Sequence, residues 1–379
     1  MSGRSKREYL QAIHPRYQAA SAGQKRQILD EFTATCGYHR KYAIRLLNAP
    51  LEAPTPARRA GRTPVYHTPA IIAFLEQLLI ASNLACSKRL VAMIPLWLPH
   101  ATPPIDPPTR DLLLSISAAS INRVLAGVRT RHRKLGLATT KPGSLLRKHI
   151  PIKTSQWDES RPGFLEADTV AHCGTSTAGS FVYSVNFVDI ATGWSAFAAV
   201  WGRGQTGVFS ALQTLEKTLP FAIRGFDSDN GGEFINHSLL NYFTNRRRPV
   251  QYTRSRPYHS NDNAHIEQKN WTNIRQYLGY LRFENPAIVP LMNDLYANEL
   301  SLLVNFFLPS FKLLQKHRDG ARTSKRHDPP KTPCDRLLPH LSRANQRQLT
   351  RLRASLNPFD LQAAIRRKVL LILALATPP

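Results

Sequence analysis

Three short acidic blocks constrain this chain more than any other feature. Leu165 to His172 reads LEADTVAH, Phe226 to Phe234 reads FDSDNGGEF, and Asn261 to Trp271 reads NDNAHIEQKNW. Strand and helix signals alternate around them. Gly163 to His172, Phe181 to Val188 and Trp194 to Val200 read as strands, the last two joined by a turn at Asp189 to Gly193. A helical stripe of Phe209, Leu212 and Leu215 follows, then a fourth strand over 222–226, a helix over 234–244 and a fifth strand over 250–253. On this reading Asp168 lies in the first strand, Asp229 just past the fourth, and Glu267 in a helix over about 262–278. Three carboxylates brought together suit Mg²⁺, a hard ion that takes oxygen ligands and binds through a few carboxylates plus substrate phosphate.

Other acidic and metal-ligating residues have plainer readings. Asp227, two residues before Asp229, reads as a supporting or capping group, Glu166 as a solvated strand edge, and Asp189 as a turn residue. His172 and Cys173 lack partners at zinc spacing, and Cys36 with His39 forms one ligand pair without a second. The four cysteines are far apart, which predicts free thiols in a reducing compartment.

Charge divides the chain into three. Residues 1–150 carry 23 Lys and Arg against 7 Asp and Glu (+16), residues 151–300 carry 13 against 14 (−1), and residues 301–379 carry 15 against 4 (+11), which together give the formal +26. A near-neutral middle between basic flanks predicts a catalytic core with arms that hold double-stranded DNA, because phosphate neutralisation supplies most sequence-independent affinity. The first residues lack an apolar stretch of signal-peptide type, and the apolar tail Val369 to Pro379 is too short to span a bilayer. The expected location is cytoplasmic and nucleoid-associated, with no membrane partner and the tail ending a packing helix.

Proline clusters near 50–56, 99–108 and 329–333 suggest boundaries. The expected domains are a helix-turn-helix over 1–60, a second helix-turn-helix and basic linker over 61–150, a catalytic core over 151–285, and a basic, mostly helical region over 286–379. In the first, a helix over 24–33, a turn at Cys36-Gly37 and a basic helix over 38–48 offer Arg40, Lys41 and Arg45 to DNA, with Tyr42, Leu46 and Leu47 on the other side. In the second, Ser117 caps a helix that turns Ile121, Val124 and Leu125 inward and Asn122 and Arg123 outward. Around the fifth strand, Arg246, Arg247, Arg248, Arg254 and Arg256 are either a DNA grip or a solvated charge run.

The blocks SDNGGEF and SRPYHSNDNAHIEQKNW, with an aspartate in a preceding strand, resemble the superfamily of retroviral-type integrases and bacterial insertion-sequence transposases that use two aspartates and a glutamate. The resemblance covers roughly 162–280. It implies an α/β ribonuclease H-like core, a mixed five-stranded sheet with flanking helices in which the first and fourth strands are neighbours. It implies metal ligation and catalysis by Asp168, Asp229 and Glu267, with two Mg²⁺ ions, or Mn²⁺ in their place, and a homo-multimer that synapses two DNA ends. The implied activity is DNA cleavage and strand transfer at the ends of an insertion sequence. The alternatives are a structure-selective nuclease of the same fold and a DNA-binding regulator without catalysis. Many relatives of this type carry a cation one or two turns after the glutamate, whereas i+4 and i+7 here are Trp271 and Ile274. Lys269 and Arg275 are the nearest cations; helix rotation favours Arg275 for the DNA-end contact and turns Lys269 towards solvent or a partner subunit. Trp271 is expected either in the core or stacked on a flipped base.

Overall fold

The computed structural model describes residues 1–51, 65–131, 160–228, 231, 233–234, 236–254, 264–319 and 322–376. The chain divides into two compact units, Met1–Pro64 and Val65–Pro379.

The first unit is helical: α1 (Gly3–Ala19), α2 (Ala22–Cys36) and α3 (Arg40–Asn48). Ser21 and Gln24 close a capping box at the start of α2, and Gly37 ends that helix at φ +65°, a conformation glycine adopts without a Cβ penalty. Ile13, Tyr17, Ile28, Leu29, Phe32, Ala43 and Leu47 form the small core. Arg40, Lys41 and Arg45 are exposed on α3. Tyr42, expected on the side of Leu46 and Leu47 away from the cations, is 40% exposed, beneath the Arg45 guanidinium at 5.0 Å.

The second unit begins with α4 (Pro69–Ala81), α5 (Ser87–Trp97), α6 (Pro107–Ser115), α7 (Ala118–Val124) and α8 (Ala126–Arg131). Ser117 caps α7 through the Ser120 amide at 3.1 Å, and Ile121, Val124 and Leu125 are buried, as the sequence predicts. These helices pack on the C-terminal ones: Trp97 donates to the Phe307 carbonyl at 3.0 Å and meets Phe359 edge-on.

The sheet follows, with β1 (Phe164–Ala171), β2 (Val182–Asp189), β3 (Ser195–Trp201), α9 (Gln205–Thr218), β4 (Gly225–Ser228), α10 (His237–Thr244) and β5 (Gln251–Arg254). Strand order is β3-β2-β1-β4-β5. The pairs β1–β2 and β2–β3 are antiparallel, while β1–β4 and β4–β5 are parallel. This mixed five-stranded sheet with flanking helices has the strand adjacency expected of a ribonuclease H-like core. Alternation sorts the side chains by face. Leu165 and Ala167 join α9 and α10 in one core, and Val170 joins the helices that cover the opposite face. The edge strand β3 is covered as well. Asn305 bonds the Ser195 N–H at 2.9 Å and carbonyl at 2.8 Å, and Asn293 does the same for Ala199, satisfying edge groups that would otherwise invite pairing.

After β5 come α11 (Ala264–Lys269), a π-helical stretch over Asn270–Arg275 and the short α12 (Gln276–Leu278). Next are α13 (Ile288–Leu295), a second π-helical stretch over Tyr296–Leu300, and α14 (Ser301–Phe307). A hairpin of β6 (Leu313–Asp319) and β7 (Arg322–His327) precedes α15 (Pro333–Leu337), α16 (Arg343–Ala354) and α17 (Pro358–Ala374). Helices make up most of the described region over 286–379, and to these the structure adds the hairpin. Its segments lack the apolar alternation that marks a half-buried strand, because the hairpin is largely exposed. The apolar tail from Val369 to Ala374 belongs to α17, which buries Ile365 and Ile372. Among the described residues no helix is long and apolar enough to cross a membrane, and all four cysteines are free.

Candidate active site

On β1, Glu166 and Asp168 share the face opposite Leu165 and Ala167, and that face lies under α11. Two hydrogen bonds fix the helix there. The Ile266 amide donates to Glu166 Oε2 at 3.0 Å, and Asn270 Nδ2 donates to Asp168 Oδ2 at 2.6 Å. They fall on either side of Glu267 in the helix and on two same-face positions of β1. Asn186, the register partner of Asp168 on β2, completes the clamp by donating to Asn270 Oδ1 at 2.7 Å. The other Asp168 oxygen accepts the Thr169 amide at 2.7 Å.

Glu166 is 1% exposed in a central strand, which corrects the expectation of a solvated edge. Its carboxylate serves as a helix anchor. Asp227 is 2% exposed, is the register partner of Glu166, and accepts the Thr253 hydroxyl at 2.7 Å, a supporting role as expected. Asp189 has its carboxylate taken by the Gly163 amide at 2.7 Å and by the Thr192 amide and hydroxyl at 2.9 and 2.6 Å. Burial pushes its pKa up and these bonds oppose the shift.

β4 ends at Ser228, whose register partner is Ala167, the neighbour of Asp168. Asp229 and Arg256 lie outside the described residues. For Glu267 and Arg254 only the backbone is described, in α11 and β5. Just beyond Asp229, Glu233 is buried. Its Oε1 accepts Arg203 Nε at 2.6 Å and the Thr169 hydroxyl at 3.1 Å, tying the second acidic block to the residue beside Asp168. Gly231 permits this approach, since a Cβ there would lie 2.5 Å from Glu233 Oε2. Sequence reasoning missed both Glu233 and Asn270. The signal for Asn270 was its place at i+3 from Glu267, on the same side of a helix. Glu233 carried no signal beyond its position in the block.

The cations after Glu267 part ways. The π-helical stretch lies between Lys269 and Arg275, so a uniform α-helical rotation does not describe their relation. Arg275 donates to the Ala171 carbonyl at the end of β1 at 2.7 Å and to Gly279 at 3.2 Å, and lies 4.7 Å over the Tyr280 ring. Lys269 corrects the solvent-facing expectation. It points into a cavity beside Gly193, and burial, reinforced by Arg89 and Arg336, brings its pKa down to about 7. Trp271 is 43% exposed with its ring 6.4 Å from Tyr280, which overturns the core-packing alternative.

Of the other DNA candidates, Arg247 and Arg248 are exposed. Arg246 is engaged within the protein, bonding both Glu216 oxygens at 2.6 and 2.7 Å and lying 4.1 Å over the Tyr242 ring. Asn122 and Arg123 are exposed on α7, where Asn122 accepts the Ser87 hydroxyl and Arg123 reaches Ser120 at 3.1 Å.

Among the described residues no three His, Cys, Asp or Glu side chains could hold a metal ion together. Of the three expected ligands, Asp168 alone has a described side chain, and its carboxylate is a hard oxygen donor compatible with Mg²⁺. Its hydrogen bond from Asn270 fixes carboxylate orientation as outer-shell partners of metal ligands do.

Solved structures with local likeness include a simian T-cell lymphotropic virus intasome, at 15% identity over 44% of this chain and 54% of that one, with a TM-score of 0.28. The HTLV-2 integrase catalytic core in complex with magnesium aligns at 14% identity over 40% of this chain and 91% of that one, with a TM-score of 0.29. The BIV integrase catalytic core aligns at 15% identity over 31% and 68%, with a TM-score of 0.25. No protein-family profile matches the sequence. A full-length relative does: at 38% identity over 339 residues, 87% of this chain and 94% of the other, the chain belongs to the family of "Uncharacterized protein y4rM" of Sinorhizobium fredii.

Proposed function

We propose that this protein is a transposase of the integrase type, which cuts and joins double-stranded DNA at the ends of an insertion sequence. The observation that carries the reading is the clamp of α11 on β1, with Ile266 held by Glu166 and Asn270 by Asp168, flanking Glu267 and flanking Ala167 on the strand. It supports a site in which Asp168 and Glu267 converge. One further step of the β1–β4 register, past Ala167 and Ser228, would bring Asp229 to Asp168. In this reading Asp168, Asp229 and Glu267 hold two divalent cations, Mg²⁺ by preference. When bound, the ions would activate the attacking oxygen and stabilise the departing one. The chain's own share is orientation: Asn270 and Asn186 fix the Asp168 carboxylate, and Arg203 and Glu233 hold the segment after Asp229. The exposed cations of α3 and the Arg247-Arg248 pair are the proposed DNA contacts, and two ends would be synapsed by a homo-multimer.

The test is strand transfer with terminal DNA. Asp168→Asn, Asp229→Asn and Glu267→Gln should each abolish cleavage and joining while DNA binding persists, and Asp227→Asn should retain substantial activity. Full activity in any of the first three removes that residue from the site. Cleavage without joined product in the wild-type protein would favour a structure-selective nuclease.

A further inference from the structure

A cavity of about 360 Å³, whose lining does not include Asp168, opens between the Asp189–Gly193 turn, the helix carrying Lys269, and the segment that leads into the β6–β7 hairpin. Five basic side chains line it, Arg89, Lys269, Lys312, Lys325 and Arg336, against one carboxylate, Asp189. Asp189 is committed to Gly163 and Thr192. Arg336 is matched by Asp328 at 2.8 Å. Counting Asp328, basic side chains outnumber carboxylates five to two among the described residues. Arg89 donates its Nε to the Pro309 carbonyl at 2.6 Å, which satisfies a donor but not a charge. Lys312 Nζ reaches the Ala191 carbonyl at 3.3 Å. Lys269 Nζ stands at the glycine turn, 3.9 Å from where a Cβ on Gly193 would lie, and Ser310 Oγ is at the same distance from that point.

Like charges are not gathered at a partly buried site without cost, and an anion bound there would offset it. We propose that this cavity binds a phosphate group, with Lys269 and Arg89 as its inner ligands, Ser310 as a neutral donor and Lys325 at the exposed rim. The volume admits one phosphate and its hydration, and Lys269, Arg89 and Ser310 supply donors to it. The stretches that meet here include α5, the β2–β3 turn, α11 and the hairpin, so an occupied cavity would tie the helical segment before the sheet and the segment after it to the helix that presents Glu267. The ligand chemistry is a phosphate oxyanion, carried either by free phosphate or by the backbone of bound DNA. The site is distinct from the carboxylates, so it stands or falls separately from the proposed catalysis.

The experiment is thermal denaturation and isothermal titration of the full-length protein with inorganic phosphate and pyrophosphate at constant ionic strength, sodium chloride being the control. The expected result is a phosphate-dependent rise in Tm, with binding weakened about tenfold or more in Lys269→Met and in the rim variant Lys325→Ala, and largely restored in Lys269→Arg. Lys269→Met without ligand should melt higher than wild type, because repulsion is relieved. If a blunt terminal duplex displaces pyrophosphate in the wild-type protein, the natural source is DNA backbone; if both bind together, it is free phosphate. No phosphate-specific Tm rise, or an equal rise in wild type, Lys269→Met and Lys325→Ala, overturns the proposal.

Discussion

Asn270 Nδ2 lies 2.6 Å from Asp168 Oδ2, so the helix that carries the third acidic block is fastened to the strand that carries the first. The same amide group receives Asn186 at 2.7 Å from the neighbouring strand. A side chain that both donates and accepts in one place cannot be replaced by a carboxylate or an alkyl group without leaving a partner unmatched.

Asn270→Ala is therefore expected to destabilise the fold by about 1–3 kcal/mol, the cost of unmade bonds to buried polar groups. Strand transfer should fall about tenfold or more as Asp168 loses its fixed orientation. Urea denaturation and a joining assay on the same preparation check both numbers. Unchanged activity in a destabilised protein would leave Asn270 a purely structural residue.

The sheet was legible in the sequence because its strands are apolar runs of ordinary length separated by recognisable turns, such as Asp189 to Gly193, and because the carboxylate blocks marked the ends of two of them. The hairpin over 313–327 was not, since its sequence, with KHRD in one strand and RTSKRH in the other, has no hydrophobic period to read. Glu166 was misjudged for a related reason. A charged residue in a strand suggests an exposed edge, but here the Ile266 amide makes a central, buried position tolerable. The relation of Lys269 to Arg275 depended on helix geometry beyond Lys269, where the chain switches to π-helix and a count at 100° per residue fails.

Arg203 and Glu233 give a second prediction with an unequal outcome. The Arg203 side chain is 49% exposed and that of Glu233 1% exposed. Removing the arginine strands a buried carboxylate, whereas removing the charge of the glutamate releases the arginine to water. Arg203→Ala should thus destabilise by about 3 kcal/mol, and Glu233→Gln by about 1 kcal/mol. Chemical denaturation at neutral pH measures the two, and the opposite ranking would sink the argument.

Arg246 should separate from its two neighbours. Its bidentate bond to Glu216, with the Tyr242 hydroxyl on the same carboxylate at 2.6 Å, fixes α10 to α9. Arg246→Ala is expected to cost about 1–3 kcal/mol of stability. Arg247→Ala and Arg248→Ala, both at exposed positions, should stay within about 0.5 kcal/mol of wild type. If that pair touches DNA phosphates, each of the two substitutions lowers the slope of log K against log salt by about 0.9. A slope unchanged in both would return the arginine run to a solvated surface.

His172 is expected to contribute to the acid limb of stability. It is fully buried, bonds the Ser184 hydroxyl at 2.7 Å and stacks on Phe283 at a ring separation of 4.6 Å. Burial, with a smaller contribution from Arg275, lowers its pKa from 6.5 to about 3. Between those values the unfolded chain holds a proton that the folded chain refuses, so stability is complete above about pH 6.5 and falls as the pH drops towards 3. Between pH 6.5 and 4.5 the loss from this group should be about 2 kcal/mol. His172→Phe keeps an aromatic ring beside Phe283, and Tyr296 still bonds Ser184 at 2.6 Å. Urea titrations across that window should therefore show a flatter acid limb in the variant. Parallel limbs for the two proteins would mean that His172 takes up its proton without unfolding the site.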